Sequence, residues 1–155
     1  MITKSQIEEA QSKWGNSLIE IGNLKDNKEA YMAAADAMLN KLYAFDLGDV
    51  LFKPTKAAHK QFRLNLEGAK SYFVGGNPNY SEDIGFALQP WVLVKFVNQA
   101  ITLNQNHAIA MGNYFFTDTN QKEIKIEYTF GYILDKNGDL KISLHHSSFP
   151  YNHDK

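Results

Sequence analysis

An α+β fold is predicted, with helices gathered on one face of a strongly bent antiparallel sheet. Three observations predict it. Apolar residues recur every three or four positions from Ile7 to Ile21 and again from Tyr31 to Phe45, which is the period of an amphipathic helix. From Trp91 to Phe149 the pattern changes to long strand-like runs. Those runs are divided by Asn104-Gln105-Asn106, Asp118-Thr119-Asn120 and Asn137-Gly138, all residues that favour tight turns. Helices followed by consecutive strands read as a meander with the helices packed against it.

Each element has its own signal. Thr3 and Ser5 stand three residues before Gln6 and Glu8 in capping-box spacing, and Ile7, Ala10, Trp14, Leu18 and Ile21 form one stripe that ends near Gly22. Asp26 or Asn27 can cap a second helix carrying Tyr31, Ala35, Met38, Leu42 and Phe45, with Gly48 as its stop. Both stripes, Trp14 included, read as core. A short strand is expected from Val50 to Lys53, closed by Pro54, and another around Gln61 to Leu64. Leu66 to Val74 reads as a third helix ended by Gly75-Gly76. The stretch from Asn77 to Pro90, long for a loop in a compact domain, is a candidate pocket rim. Four strands follow at Trp91 to Leu103, His107 to Thr117, Glu123 to Leu134 and Leu140 to Phe149, with Asn137-Gly138 as a two-residue hairpin turn.

Length and charge narrow the function. The 155 residues suit one domain spanning 1–155, with no repeat and no composition shift that would mark a linker. Sixteen basic against seventeen acidic residues leave a net charge of −1, which disfavours nucleic acid and anionic membrane as partners. Neither the start, Met1 to Gln6, nor any later stretch has the apolar run of a signal peptide or a membrane span. A cytoplasmic location is expected, or a periplasmic one if a leader has been removed.

The chemistry is expected in Leu144-His145-His146-Ser147-Ser148-Phe149-Pro150-Tyr151, where consecutive polar side chains interrupt the last strand. Histidine exchanges protons near neutral pH, and a neighbouring hydroxyl can position a water or a substrate oxygen. Successive strand residues face opposite ways, so His146 and Ser148 share one face while His145 and Ser147 share the other. The apolar Ile142 and Leu144 have the parity of His146 and Ser148, so that pair is expected to point inward. His145 and Ser147 are the alternative.

The run His145-His146-Ser147-Ser148-Phe149-Pro150 resembles the HHSSxP signature of the iota-class carbonic anhydrases. Glu82 to Trp91, Met111 to Phe116 and Glu127 to Tyr132 are similar to further blocks of that family, so the resemblance extends from about Lys53 to Tyr151. It implies the nuclear transport factor 2-like cone, a curved antiparallel sheet wrapped around three helices, similar also to the calcium/calmodulin-dependent protein kinase II association domain. It implies reversible hydration of carbon dioxide to bicarbonate by a lyase.

Carried onto this chain, the family's threonine, tyrosine and signature residues become Thr55, Tyr72 and one His/Ser pair. With the inward pair above, His146 would take a proton from water, aided by Ser148 and Tyr72, while Thr55 and Ser148 donate to the bicarbonate oxygens. His145 and Ser147 would be secondary substrate contacts. More ordinary roles exist for several residues: Thr55 could begin a turn, Tyr72 could be core, and Arg63 could hold an anion or an ion pair. Glu82 and Asp83 could rim the pocket or cap a turn.

Both metal-dependent and metal-free behaviour belong to the resemblance. Metal-free is favoured, because no cysteine is present, adjacent histidines diverge, and His59, His107 and His153 show no ligand spacing, so no zinc or manganese site is legible. The expected partners are carbon dioxide, bicarbonate and a second copy of the chain, the homodimer pairing through sheet aromatics such as Tyr128, Phe130 and Tyr132. The competing function is a small-ligand-binding or association domain of the same fold without hydratase activity. A wide pocket or an exposed apolar sheet face would mark it.

Overall fold

The opening helix forms as its cap dictates. In the computed structural model, which describes residues 1–154, the Thr3 hydroxyl accepts from the Gln6 amide at 3.2 Å and Gln6 Oε1 accepts from the Thr3 amide at 2.8 Å. This box starts α1, Lys4–Asn23. Asn27 caps α2, Lys28–Leu42, by accepting from the Ala30 amide at 3.1 Å. Asn65 caps α3, Leu66–Val74, by accepting from Gly68 at 2.9 Å.

The second helix ends at Leu42, short of the Phe45 and Gly48 expected from the apolar spacing. Tyr43 takes extended dihedrals and bridges to Ile142, which turns its ring under the sheet. The expected strand at Gln61 to Leu64 does not form. Two backbone bonds tie that stretch to the preceding strand, Arg63 N to Phe52 O at 2.7 Å and Val50 N to Leu64 O at 3.2 Å. The Arg63 side chain is committed elsewhere.

The strands are β1, Leu51–Lys53, β2, Trp91–Leu103, β3, His107–Asp118, β4, Glu123–Leu134, and β5, Leu140–Ser148. They form one sheet in the order β1-β5-β4-β3-β2, antiparallel except that β1 runs parallel to β5. The hairpin between β4 and β5 is wider than the two-residue turn expected. Asp135 N donates to Asp139 O at 2.9 Å, and Gly138 takes the left-handed conformation, φ 83°, between them.

Bulges curve the sheet. The β2–β3 pairing jumps from Asn98↔Gly112 to Ala100↔Met111, leaving Gln99 as the extra residue. Gly112 sits opposite, where any Cβ would collide with the Val97 carbonyl. Another bulge lies in β5, where the pairing passes from Gly131↔Leu144 to Tyr132↔Ile142 and skips Ser143. The concave face closes over α1 and α3 on a core that includes Trp14, Phe52, Phe73, Phe116 and Phe130. The convex face leaves Val97, Ile109 and Met111 substantially exposed.

The loop between α3 and β2 is held by a buried ion pair. Arg63 donates to both carboxylate oxygens of Asp83 at 2.7 Å, and neither side chain is exposed. Ser71 Oγ donates to the same carboxylate at 2.6 Å. Arg63 also donates to the Lys60 and Gly68 carbonyls at 2.7 and 2.9 Å, over the Tyr80 ring. Next to it the Glu82 carboxylate accepts from the amides of Ala58, His59 and Lys60, which holds it below the usual carboxylate range. Of the roles weighed for Arg63, Glu82 and Asp83, the ion pair and the turn cap are therefore the structural ones. Together they clasp the segment carrying Thr55 to the rim loop.

Candidate active site

The bulge at Ser143 decides which side chains of the last strand face the core. One skipped residue reverses the alternation, so Ile142 and His145 both point inward although an odd number of positions apart. His145 and Ser147 are 2% and 1% exposed. His146 is exposed and Ser148 half-buried, opposite Thr129 and Glu127 on the convex face. The expected inward placement of His146 and Ser148 is thus corrected. Alternation counted through Ile142 and Leu144 holds only for a regular strand. Gly131 on the facing strand was the available signal, because an isolated glycine inside a strand often marks a bulge. A Cβ there would come within 2.8 Å of Leu144 Cβ.

Parallel pairing brings β1 beside the signature, with Phe52 opposite His145 and Lys53 opposite His146. Pro54 then ends the strand and carries Thr55 over the pocket, where its hydroxyl lies 2.7 Å from Ser147 Oγ. Ser147 Oγ is also in hydrogen-bond contact with the Tyr114 phenol. The same phenol lies 3.2 Å from His145 Nε2, and His145 Nδ1 lies 2.8 Å from the Tyr43 phenol. Trp14 Nε1 donates to Tyr43 at 2.9 Å. One hydrogen-bonded line therefore runs from the core of α1 to the partly exposed Thr55.

Tyr72 stands at the outer end of this line. Its phenol accepts from the Lys56 amide at 3.3 Å, and its ring stacks on Phe86 at 5.4 Å. With Lys56, Glu82, Asp83, Ile84 and Gln89 these rings line a small cleft of about 200 Å³. The rim expected between Asn77 and Pro90 supplies one wall of it.

The electrostatics follow from burial. His145 lies between Phe52 and Phe130, ring centroids 4.7 and 4.1 Å away, and desolvation there pushes its pKa well below the ordinary value, with His146 adding a smaller effect of the same sign. It is neutral at physiological pH. Burial raises Tyr43, Tyr72 and Tyr114, so all three phenols keep their protons. The arrangement is a set of neutral O–H groups beside aromatic walls, suited to a small molecule rich in oxygen acceptors.

Of the residues expected at the site, Thr55 lies against Ser147, Tyr72 lies against the next residue Lys56, and His145 shares Tyr114 with Ser147. Tyr114 and Tyr43 were not singled out in the sequence. Tyr114 lay inside a recognised block but had no spacing to distinguish it from core aromatics. Tyr43 follows the helix end that the apolar stripe overran. Among the described residues no group of three His, Cys, Asp or Glu side chains is placed to hold a metal ion.

A family model described as metal-independent carbonic anhydrase matches residues 5–149. The metal-independent carbonic anhydrase of Nostoc sp. (strain PCC 7120 / SAG 25.82 / UTEX 2576) is 39% identical over 153 residues, covering 97% of this chain and 75% of that protein. A crystal structure of the iota-carbonic anhydrase from a cyanobacterium, complexed with bicarbonate, superposes with a TM-score of 0.94 at 38% identity, over 98% of this chain and 94% of the other. A calcium/calmodulin-dependent protein kinase II association domain from Xanthomonas campestris shares the fold, with a TM-score of 0.51 at 24% identity over 93% and 82% of the two chains.

Proposed function

Since the chain belongs to the metal-independent carbonic anhydrase family and is a carbonic anhydrase by that membership, we propose that carbon dioxide and bicarbonate are interconverted in the cleft lined by Tyr72, beside Thr55 at the outer end of the line through Ser147. The observation that carries this reading is the contact of Thr55 Oγ1 with Ser147 Oγ at the mouth of a buried hydrogen-bonded line. The bicarbonate held by the cyanobacterial relative supports the choice of substrate.

The hydroxyls supply what a metal would otherwise supply. When water attacks carbon dioxide, negative charge grows on the carbon dioxide oxygens, and fixed O–H donors stabilise it without reorganising. Tyr72 takes the Lys56 amide as a donor, which leaves its own proton for the substrate. The aromatic wall of Tyr72 and Phe86 accommodates an apolar gas and excludes bulk water.

The proton of the attacking water has to be released to solvent, and the partly exposed Thr55 marks the open side of the site. His145 behind the cleft is desolvated and Glu82 at its wall is held ionised by amides, so neither is poised to take that proton. His145 bears on the substrate only through Tyr114 and Ser147, so it is a positioning residue.

Thr55→Val tests the reading, because valine keeps the shape and removes the hydroxyl. Carbon dioxide hydration measured by stopped flow is expected to fall about a hundredfold, the scale of one lost oxyanion donor. A rate within a factor of about two of the native protein would count against Thr55 as a donor.

Tyr128, Phe130 and Tyr132, expected to join two copies, are buried in the concave core and cannot do so; a homodimer joined through the convex sheet face fits the exposed Val97, Ile109 and Met111 instead. Light scattering is expected to give twice the chain mass of 17.6 kDa, and the chain mass alone would oppose it.

A further inference from the structure

A hydroxyl carries one proton, and an indole N–H can only donate. The Tyr43 phenol has two polar partners, Trp14 Nε1 and His145 Nδ1. Because the first offers no lone pair, the Tyr43 proton has one destination, the bare Nδ1 of a neutral imidazole. The remaining proton of that ring then sits on Nε2 and points at Tyr114. Tyr114, having accepted, passes its own proton to Ser147, and Ser147 passes its proton to Thr55. The opposite order would bring an Nδ1–H against the Tyr43 oxygen and leave the Tyr43 proton with no acceptor. That is disfavoured where the side chain is fully buried.

We propose that Tyr43, oriented by the Trp14 indole, is the positioning residue that fixes the direction of every proton in this line, so that Thr55 meets the substrate as a hydrogen-bond donor. Neither residue touches the cleft. Their effect travels through the tautomer of His145, which the stacked rings of Phe52 and Phe130 keep dry. The lowered proton affinity of His145 agrees, since a charged ring would hold protons on both nitrogens and donate both ways. Successive donors in one direction also strengthen one another in a dry interior.

This inference rests on the cleft being the hydration site, but its test needs no substrate. Two-dimensional ¹⁵N NMR distinguishes a protonated from a bare imidazole nitrogen, and the His145 signals are identified by their loss in His145→Gln. The native protein is expected to show Nε2–H and bare Nδ1 alone across about pH 6 to 8, on both sides of the ordinary histidine value. Nδ1–H in the native protein would overturn the proposal. Tyr43→Phe is expected to admit the second tautomer and to lower hydration about tenfold, the effect of one weakened donor. A single unchanged tautomer in that variant would overturn it.

Phe52→Leu separates polarity from packing, because it loosens the same histidine without touching its nitrogens. It is expected to keep the one tautomer, and a mixture there would mean that packing sets the tautomer, against the proposal. If the tautomer is reversed while Thr55→Val still loses activity, the polarity is wrong and the hydration site stands. An Nε2–H tautomer with no activity loss in Thr55→Val would mean the reverse.

Discussion

Replacing Asp83 by Ala is expected to lower the unfolding free energy by about 3–5 kcal/mol, a large part of the 5–15 kcal/mol typical of such a domain. The reason is the charge left behind. Arg63 is 1% exposed, with its guanidinium spread over Asp83, two carbonyls and the Tyr80 ring. Without the carboxylate, a buried cation has no counter-charge and water cannot readily reach it. The double variant Arg63→Met with Asp83→Leu is expected to recover most of the loss, since a buried ion pair contributes little net stability against apolar residues of similar size. Urea unfolding of the three proteins checks both expectations. Equal losses in the single and double variants would show that the polar contacts themselves, and not the unpaired charge, set the cost. The site should feel the single substitution too, because Ser71 holds Asp83 from the residue beside Tyr72.

The architecture was legible because local signals and the global pattern agree. The Thr3–Gln6 box and the Asn27 and Asn65 caps act within a few residues of themselves. The third helix, Leu66–Val74, ended where its glycine pair stands. The long strands follow an alternation that a single sheet face explains. What was not legible depends on contacts distant in sequence. The end of the second helix is set by Tyr43 reaching Ile142, and the failed strand at Gln61 to Leu64 by Arg63 reaching Asp83.

The site divides in the same way. Thr55 and Tyr72 are what the family resemblance implies; Thr55 lies against Ser147, and Tyr72 lies against the next residue, Lys56, and lines the cleft. The inward pair was misread, because one extra residue at Ser143 reverses the facing of everything after it. Periodicity counts residues, and a bulge changes the count without changing composition. Gly131 was the local trace of it, present in a recognised block but not weighed against the alternation. Tyr114 had no sequence signal of its own, since a buried tyrosine in a strand is most often core, and its role appears only once Ser147 is known to face it.

Neutral hydroxyls on the concave face, with no metal, are proposed to carry out the hydration. That role is tested most directly by stopped-flow carbon dioxide hydration on protein stripped with a strong chelator and assayed for residual metal, comparing Ser147→Ala with Ser148→Ala. The native protein is predicted to keep its activity after stripping and to gain none from added zinc. Ser147→Ala is predicted to lose about two powers of ten, because it cuts Thr55 off from Tyr114 and leaves the Thr55 donor unoriented. Ser148→Ala, a change on the opposite face, is predicted to stay within about a factor of two. Loss in Ser148→Ala with full activity in Ser147→Ala, or activity that vanishes on stripping and returns with zinc, would rule out hydration by these hydroxyls.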